Sequence, residues 1–412
     1  MPELDGAATA LVLVSTAMVL LMTPALALFY GGMVRSFSVL NIMMMSFIAI
    51  PLVAVAVAWL VAGYSLAFSD DAGFGLIGGV ESFGLAGIGP ESLHGSIPTL
   101  LFVTFQLTFA VITAALISGA IADRARFVAW IVFVPIWTLL VYAPVAHWVW
   151  GPGGWIAELG ALDFAGGLVV EVTSGASALA LALVLGPRLG FRHDTMRPHN
   201  LPFVLLGAGL LWFGWFGFNA GSALAADGMA AAVLLNTLIA GGLGMVGWLV
   251  VETNRDGHPT SFGAASGIVA GLVAITPACG SVGPLGAAVV GLAAGIVCAY
   301  VVLWKFKFGY DDSLDVVGVH FTGGVVGTVL IGLFATSMMT SDADGLFYGG
   351  GLALLGKQVI AIFAVALYTF LVSFGIGKVI DWTIGFRVSA KDEREGVDFS
   401  EHAETAYADL ER

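Results

Sequence analysis

The sequence predicts an all-α polytopic membrane protein of about eleven transmembrane helices, and three observations carry that expectation. Hydrophobic residues make up 59% of the chain and charged residues only 10%, against roughly 25% charged in soluble domains. The mean hydropathy of +0.98 is incompatible with a water-soluble globule of 412 residues. Apolar runs of about 20 residues, the length needed to cross a bilayer, recur along the chain, and Lys and Arg gather in every second connection between them.

The runs fall near 9–31, 38–68, 99–121, 127–150, 164–186, 200–222, 229–251, 260–278, 284–304, 315–339 and 352–381. The first begins almost at Met1 without a basic leader or a small-residue cleavage site, so it reads as a retained helix. The third enters with FQLTFA, which sets Phe105 and Phe109 four residues apart on one face. The fourth ends in VWGPGG, with Trp150 at its outer end. The sixth ends in GWFGFNAGS, where Trp215, Phe218 and Ser222 share one face. The last is expected as a long helix, Ile360 to Trp382, across the outside of the bundle. The 56 glycines suit close helix packing in lipid. Cys279 and Cys298 lie in apolar segments without metal-ligand spacing and read as buried thiols.

Spans five and ten share a pattern. VEVTSGA (170–176) aligns with VHFTGGV (319–325), setting Glu171 opposite His320, Thr173 opposite Thr322 and Gly175 opposite Gly324. Copies five spans apart enter the membrane from opposite sides, so the halves form an inverted repeat, an arrangement that places substrate sites near the midplane between them. Ionisable residues within a membrane usually mark a pathway; the plainer reading of this pair is interhelical hydrogen-bond glue. Thirteen residues separate Lys307 from His320, so an unbroken helix would carry the imidazole roughly 20 Å inward.

Arg35; Arg124 and Arg126; Arg188, Arg192 and Arg197; Arg255; Lys305 and Lys307; and Arg387, Lys391 and Arg394 occupy alternate connections. By the positive-inside rule these are cytoplasmic, the N-terminus is outside and the C-terminus inside. The division expected is a transmembrane domain, 1–386, and a cytoplasmic tail, 387–412. The net charge of −13 argues against a nucleic-acid partner; outer carboxylates such as Asp70, Asp71, Glu81 and Glu91 instead raise local cation concentration or serve as a solvated face. No Walker sequence, HExxH, CxxC or Rossmann fingerprint occurs, so the chain does not read as an enzyme. Aromatic faces and a hydroxyl at one level of a pore hold a dehydrating cation, each contact worth on the order of 1–2 kcal/mol.

Taken together, LFYGGMVR (28–35), FQLTFA, IADRARF, AHWVWGPGG, LDFAGG, GWFGFNAGS, ITPACG, DVVGVHFTGG and the tail GFRVSAKDEREGVDFSEHAETAY make the chain resemble the ammonium transporter (Amt/Mep/Rh) family over nearly its whole length. Trp and Ser at the outer site make it more similar to the Amt branch than to Rh. The resemblance implies ammonium and ammonia transport through one pore per subunit of a homotrimer in the cell membrane, with methylammonium as a further substrate. By motif match, Trp150, Ser222 and Phe109 resemble the recruitment site, Phe109 and Phe218 the gate, and His320 the second histidine of a midplane pair. Asp163 resembles an acidic residue that supports the site, fitting a cap on span five. The family usually has His where this chain has Glu171, although some fungal Mep members carry Glu, so the family's proton handling does not carry over at that position. The tail is implied to contact neighbouring subunits and a PII-type regulatory protein. No metal or other cofactor is implied. The alternative function is an ammonium sensor or receptor signalling through its tail.

Overall fold

A computed structural model describes residues 3–48 and 55–408. Among them are ten helices long and apolar enough to cross a membrane: Gly6–Met33, Thr99–Ile121, Phe127–Leu159, Gly167–Leu185, Leu201–Gly221, Gly228–Asp256, Ser261–Ala278, Pro284–Phe308, Val317–Phe334 and Ala353–Thr383. They answer to the first and the third to eleventh expected spans. The second, 38–68, falls partly on 49–54, outside the described residues. Its described parts are Val39–Met43, continued by Met44–Ile48, and Ala56–Phe68.

Local chemistry starts these helices where the sequence changes character. Asp5 accepts from the amides of Ala7 and Ala8, Asn200 from Phe203, Asp227 from Met229 and Ala230, and Thr260 from Gly263. Each satisfies N–H groups that a helix start leaves without partners. Pro284 occupies a first-turn position where its missing N–H costs nothing.

Glycine explains the packing. A Cβ on Gly271 or Gly291 would run into the Ala240 carbonyl, and one on Gly295 into the Gly244 carbonyl. Helices Gly228–Asp256, Ser261–Ala278 and Pro284–Phe308 therefore meet backbone to backbone. Gly207, Gly214, Gly217 and Gly221 similarly admit Phe29, Met22, Met18 and Ser15 of the first helix. With no hydrophobic drive between helices in lipid, such close approach is the main source of association. Ala353–Thr383 lies against Thr173–Leu185, Thr322–Phe334 and Phe127–Trp137 and leaves Ile360, Phe363, Leu367 and Leu371 exposed, as expected of an outer strut.

The basic connections converge at one end of the bundle. Arg188 pairs with Asp123 at 3.0 Å and with Asp311 at 2.8 Å. Arg124 is fully buried and donates to the carbonyls of Gly186 and Asp311 and to Ser313 Oγ. Burial alone would raise the Asp311 carboxyl, but hydrogen bonds and charge from Arg188, with Arg124, hold it below the usual range. The sequence places these arginines in connections; in the structure they are pins binding three connections together. The tail packs on the same end: Val388 N donates to Arg124 O, Asp398 accepts from Leu40 and Asn41, Glu401 from Phe127 N, and Tyr407 meets His199 at 2.7 Å.

Candidate functional site

Two segments, 149 residues apart in sequence, build the centre of the site in the same way. In each, an aspartate eight residues before the ionisable residue caps the helix start. Asp163 accepts from the amides of Gly166, Gly167, Leu168 and Val169 at 2.6–3.3 Å. Asp312 accepts from Val316 and Val317 at 3.0 and 2.7 Å. The residue entering each helix is left-handed, Gly166 with φ +119° and Asp315 with φ +63°. A π-helical turn follows, Gly167–Val172 in one and Val317–Phe321 in the other. Thr173 and Thr322 each donate to a carbonyl five residues back, Leu168 O at 2.9 Å and Val317 O at 3.2 Å, satisfying an acceptor that the widened turn releases. π turns of this kind frequently sit at functional sites.

The segments run past each other in opposite directions. Gly167 O and the Glu171 Cβ lie against Gly324, while Gly175 lies against Phe321. The two glycines let the backbones approach closely enough for the ionisable side chains to meet. His320 Nδ1 lies 2.7 Å from Glu171 Oε2, and both residues are buried. A carboxylate can only accept, so either Nδ1–H donates to it or a protonated carboxyl donates to Nδ1. One proton is shared in both arrangements.

His320 does not stand at the end of an unbroken helix from Lys307. The stretch 309–315 is non-helical and His320 lies in the first turn of Val317–Phe334, because Asp312 starts a new helix there. The estimate of roughly 20 Å from continuous helical rise therefore does not apply. Burial pushes the Asp312 carboxyl up to about 6, with Lys305 opposing and Asp315 adding to the rise.

Above the pair the rings of Phe109 and Phe218 stack, centroids 4.1 Å apart and planes 19° from parallel. Beneath the stack is a cavity lined by Phe218, Trp215, Leu116, Val170, Glu171 and His320 among others. Trp215 is held by its Nε1–H donating to Thr276 Oγ1 at 2.8 Å. On the other side an outer vestibule is lined by Phe109, Trp150, Ser222, Gln106, Phe102 and His94 among others. Trp150 meets Phe109 edge to face, 6.1 Å between centroids, and donates from Nε1 to the Asp163 carbonyl at 2.9 Å. Asp163 thus holds the outer indole through its backbone and the Glu171 helix through its side chain. Ser222 Oγ donates to Phe218 O at 2.8 Å, which leaves its lone pairs free to accept.

The residues expected from sequence to form the site, Phe109, Trp150, Asp163, Glu171, Phe218, Ser222 and His320, line or directly support these two adjoining cavities. Asp312 was missed, although carrying the 149-residue offset back from His320 sets it on Asp163. Gln106 was also missed; its Oε1 is buried without a partner and only its place in the vestibule marks it out. No group of three or more metal-ligating side chains occurs among the described residues.

The chain matches the Ammonium Transporter Family over residues 10–407. It is 51% identical to an ammonium transporter of Mycobacterium tuberculosis, covering 98% of this chain and 90% of that one. It is 50% identical to an ammonium transporter of Bacillus subtilis, covering 95% and 96%. Its structure is similar to the crystal structure of Saccharomyces cerevisiae Mep2, with TM-score 0.88, 36% identity and coverage of 94% and 89%. It is also similar to a protein described as a sensor Amt protein, with TM-score 0.89, 27% identity and coverage of 96% and 98%.

Proposed function

The chain belongs to the ammonium transporter family, whose members are multi-pass membrane transporters rather than enzymes, and on that premise we propose how its own residues move ammonium. One observation carries the reading. An aromatic vestibule and a cavity bearing an acid–base pair meet end to end, divided by the single Phe109–Phe218 stack.

Ammonium is recruited between the faces of Trp150 and Phe109, where desolvated cation–π contacts offset lost hydration and Ser222 Oγ accepts one of its N–H bonds. Displacement of the Phe109–Phe218 stack admits it to the lower cavity. There the Glu171–His320 pair takes or relays the proton, since it can hold one without either group carrying an isolated buried charge. Asp163 supports both stations from one residue. The N-terminus lies outside and the C-terminus inside, a topology supported by the meeting of the Lys- and Arg-bearing connections at one end. The chain is of the Amt branch, with Glu171 standing where most relatives have histidine. It works as a homotrimer, the transmembrane domain spanning 1–386 and the tail, 387–412, offering a surface to a PII-type protein.

The test is uptake by purified protein in proteoliposomes. Trp150→Leu and Ser222→Ala raise the apparent KM for ammonium and lower uptake most at low concentration. Methylammonium competes, and potassium competes poorly because it donates no hydrogen bonds. Unchanged KM in both variants sinks the recruitment site. The likeness to a sensor Amt protein favours a second reading, a receptor signalling through the tail; protein that binds ammonium yet passes none across proteoliposomes would establish it.

A further inference from the structure

The outer loop 69–98 folds a short hairpin, Leu93–His94 paired with Ile97–Pro98, directly over the vestibule. A left-handed Gly95, φ +58°, makes the tight turn. The hairpin lays the His94 ring flat on Phe102, centroids 3.7 Å apart and planes 12° from parallel. Phe102 is itself fixed edge to face by Phe68 at 5.0 Å. His94 therefore lines the same outer cavity as Gln106, Phe109, Trp150 and Ser222. His147, His199, His320 and His402 are each tied by a hydrogen bond. Among the described residues neither ring nitrogen of His94 has such a partner.

We propose that His94 is a further binding residue of the outer cation site: its neutral imidazole accepts an N–H from the arriving ammonium, and its protonated form repels the cation. The proposal rests on the recruitment reading of Trp150, Phe109 and Ser222. Neutral imidazole carries one acceptor nitrogen, imidazolium none, so a single protonation removes a ligand and adds a like charge. The elements around the cavity are the end of Ala56–Phe68, the helix Thr99–Ile121, the turns after Trp150 and Ser222, the stretch before Gly167 that carries Phe164, and the hairpin itself; the Asp163 carboxylate beside Phe164 is turned away onto four helix amides. These elements present aromatic, aliphatic, amide and hydroxyl groups to it, and His94 is the one titratable residue in its lining. His94 is exposed at the mouth of the cavity, and the partial desolvation of its ring against Phe102 holds the imidazole below its ordinary value. The ring is thus neutral around pH 7 and gains its charge on the acid side.

The experiment measures apparent KM and maximal rate for ammonium in proteoliposomes at external pH 8 to 5, a range in which the substrate stays protonated. In the wild type KM rises roughly three- to tenfold towards pH 5, with little change in maximal rate attributable to His94. His94→Gln keeps an acceptor without the titration, so its KM stays low and nearly flat. His94→Lys carries a fixed charge and shows the acid KM already at pH 7. His94→Phe keeps the stack on Phe102 but lacks the acceptor, so its KM is raised at pH 7. The proposal is overturned if His94→Gln follows the wild-type pH profile, or if His94→Phe preserves wild-type affinity while His94→Gln loses it, which is the signature of packing alone. Trp150→Leu is measured in the same series. If it leaves KM unchanged the recruitment reading itself falls; if it raises KM while the His94 variants behave as wild type, only the role of His94 falls.

Discussion

The Glu171 segment and the His320 segment share an aspartate cap eight residues upstream, a left-handed entry residue, a π turn, a threonine two residues on and a glycine four residues on. They differ in two ways. One ends in a carboxyl and the other in an imidazole, and Asp163 accepts four amides where Asp312 accepts two. Asp163 also carries Trp150 on its carbonyl, whereas the Asp312 carbonyl takes Lys305 Nζ at 3.0 Å. The backbone frame is therefore built twice, and the chemistry is set by one side chain on each copy. The Glu171 copy couples its cap to the Trp150 vestibule; the His320 copy couples its cap to the ion-pair lattice of Arg188, Arg124 and Asp311.

The largest effect expected is from His320→Ala. It leaves the Glu171 carboxyl buried opposite an apolar side chain, and breaking a buried pair in this way costs about 3–5 kcal/mol. Uptake falls by roughly two orders of magnitude or more, and the double variant Glu171→Gln/His320→Ala recovers part of the lost stability. Retention of wild-type uptake by His320→Ala would falsify the pairing as the functional centre.

Next come the caps. Asp163→Ala leaves four amides without an acceptor and Asp312→Ala leaves two. Charge-assisted hydrogen bonds are worth about 1.5–3 kcal/mol each when lost singly, so Asp163→Ala lowers the unfolding temperature in detergent clearly more than Asp312→Ala. Asp163→Ala keeps the backbone carbonyl that holds Trp150 but frees its turn from the side-chain bonds that fix it, so the carbonyl shifts and the KM for ammonium rises, while Asp312→Ala acts on rate. Equal losses of stability and of KM would show that the copies are equivalent and that the difference in caps is without consequence.

The crossing glycines are tested by Gly175→Ala and Gly324→Ala. A Cβ at 175 strikes the backbone of Phe321, which cannot yield, whereas one at 324 comes 2.9 Å from the Glu171 Cβ and 3.0 Å from Gly167 O. Overpacking costs about 1–3 kcal/mol; Gly175→Ala is the more damaging, read as lower yield of folded protein and slower transport. A milder outcome for Gly175→Ala than for Gly324→Ala reverses the order that this geometry requires.

The smallest effect in rate, though the most informative, is at the side chain that breaks the symmetry. Glu171→His makes the pair alike and Glu171→Gln removes the titration at constant size. Solid-supported-membrane currents paired with uptake give more charge per substrate, and a steeper pH dependence, in the wild type than in Glu171→His. Glu171→Gln flattens the profile. Identical charge ratios and pH profiles in all three would reduce Glu171 to interhelical glue.

Much of the fold was legible because span length and apolarity alone decide which segments can enter a bilayer. The 149-residue repeat was visible too, since identical local patterns need no knowledge of contacts. The π turns were not, because Gly, Leu, Val, Glu and Thr serve equally in an α-helix and only the aspartate cap and the crossing partner select the wider turn. The role of Arg124 and Arg188 was not legible, because a sequence shows that arginine lies between spans but not that Asp123, Asp311 and Ser313 close over it. Gln106 and His94 carried no signal in their own neighbourhoods; each becomes notable by facing Trp150 and Ser222, which lie far away in the chain.

By itself the sequence determined that this chain spans a membrane many times, which connections are basic, and that an acid and a base occupy matching places in two segments. Each of these depends on residue type and spacing along one chain. Only the tertiary structure decided that Glu171 Oε2 and His320 Nδ1 lie 2.7 Å apart, that Phe109 and Phe218 divide two cavities, and that Asp163 serves both sides of the division. The first two facts depend on how closely helices from different parts of the chain approach, which is set by glycine contacts and buried polar partners between segments more than a hundred residues apart; the third depends on how the chain turns back between Trp150 and Asp163.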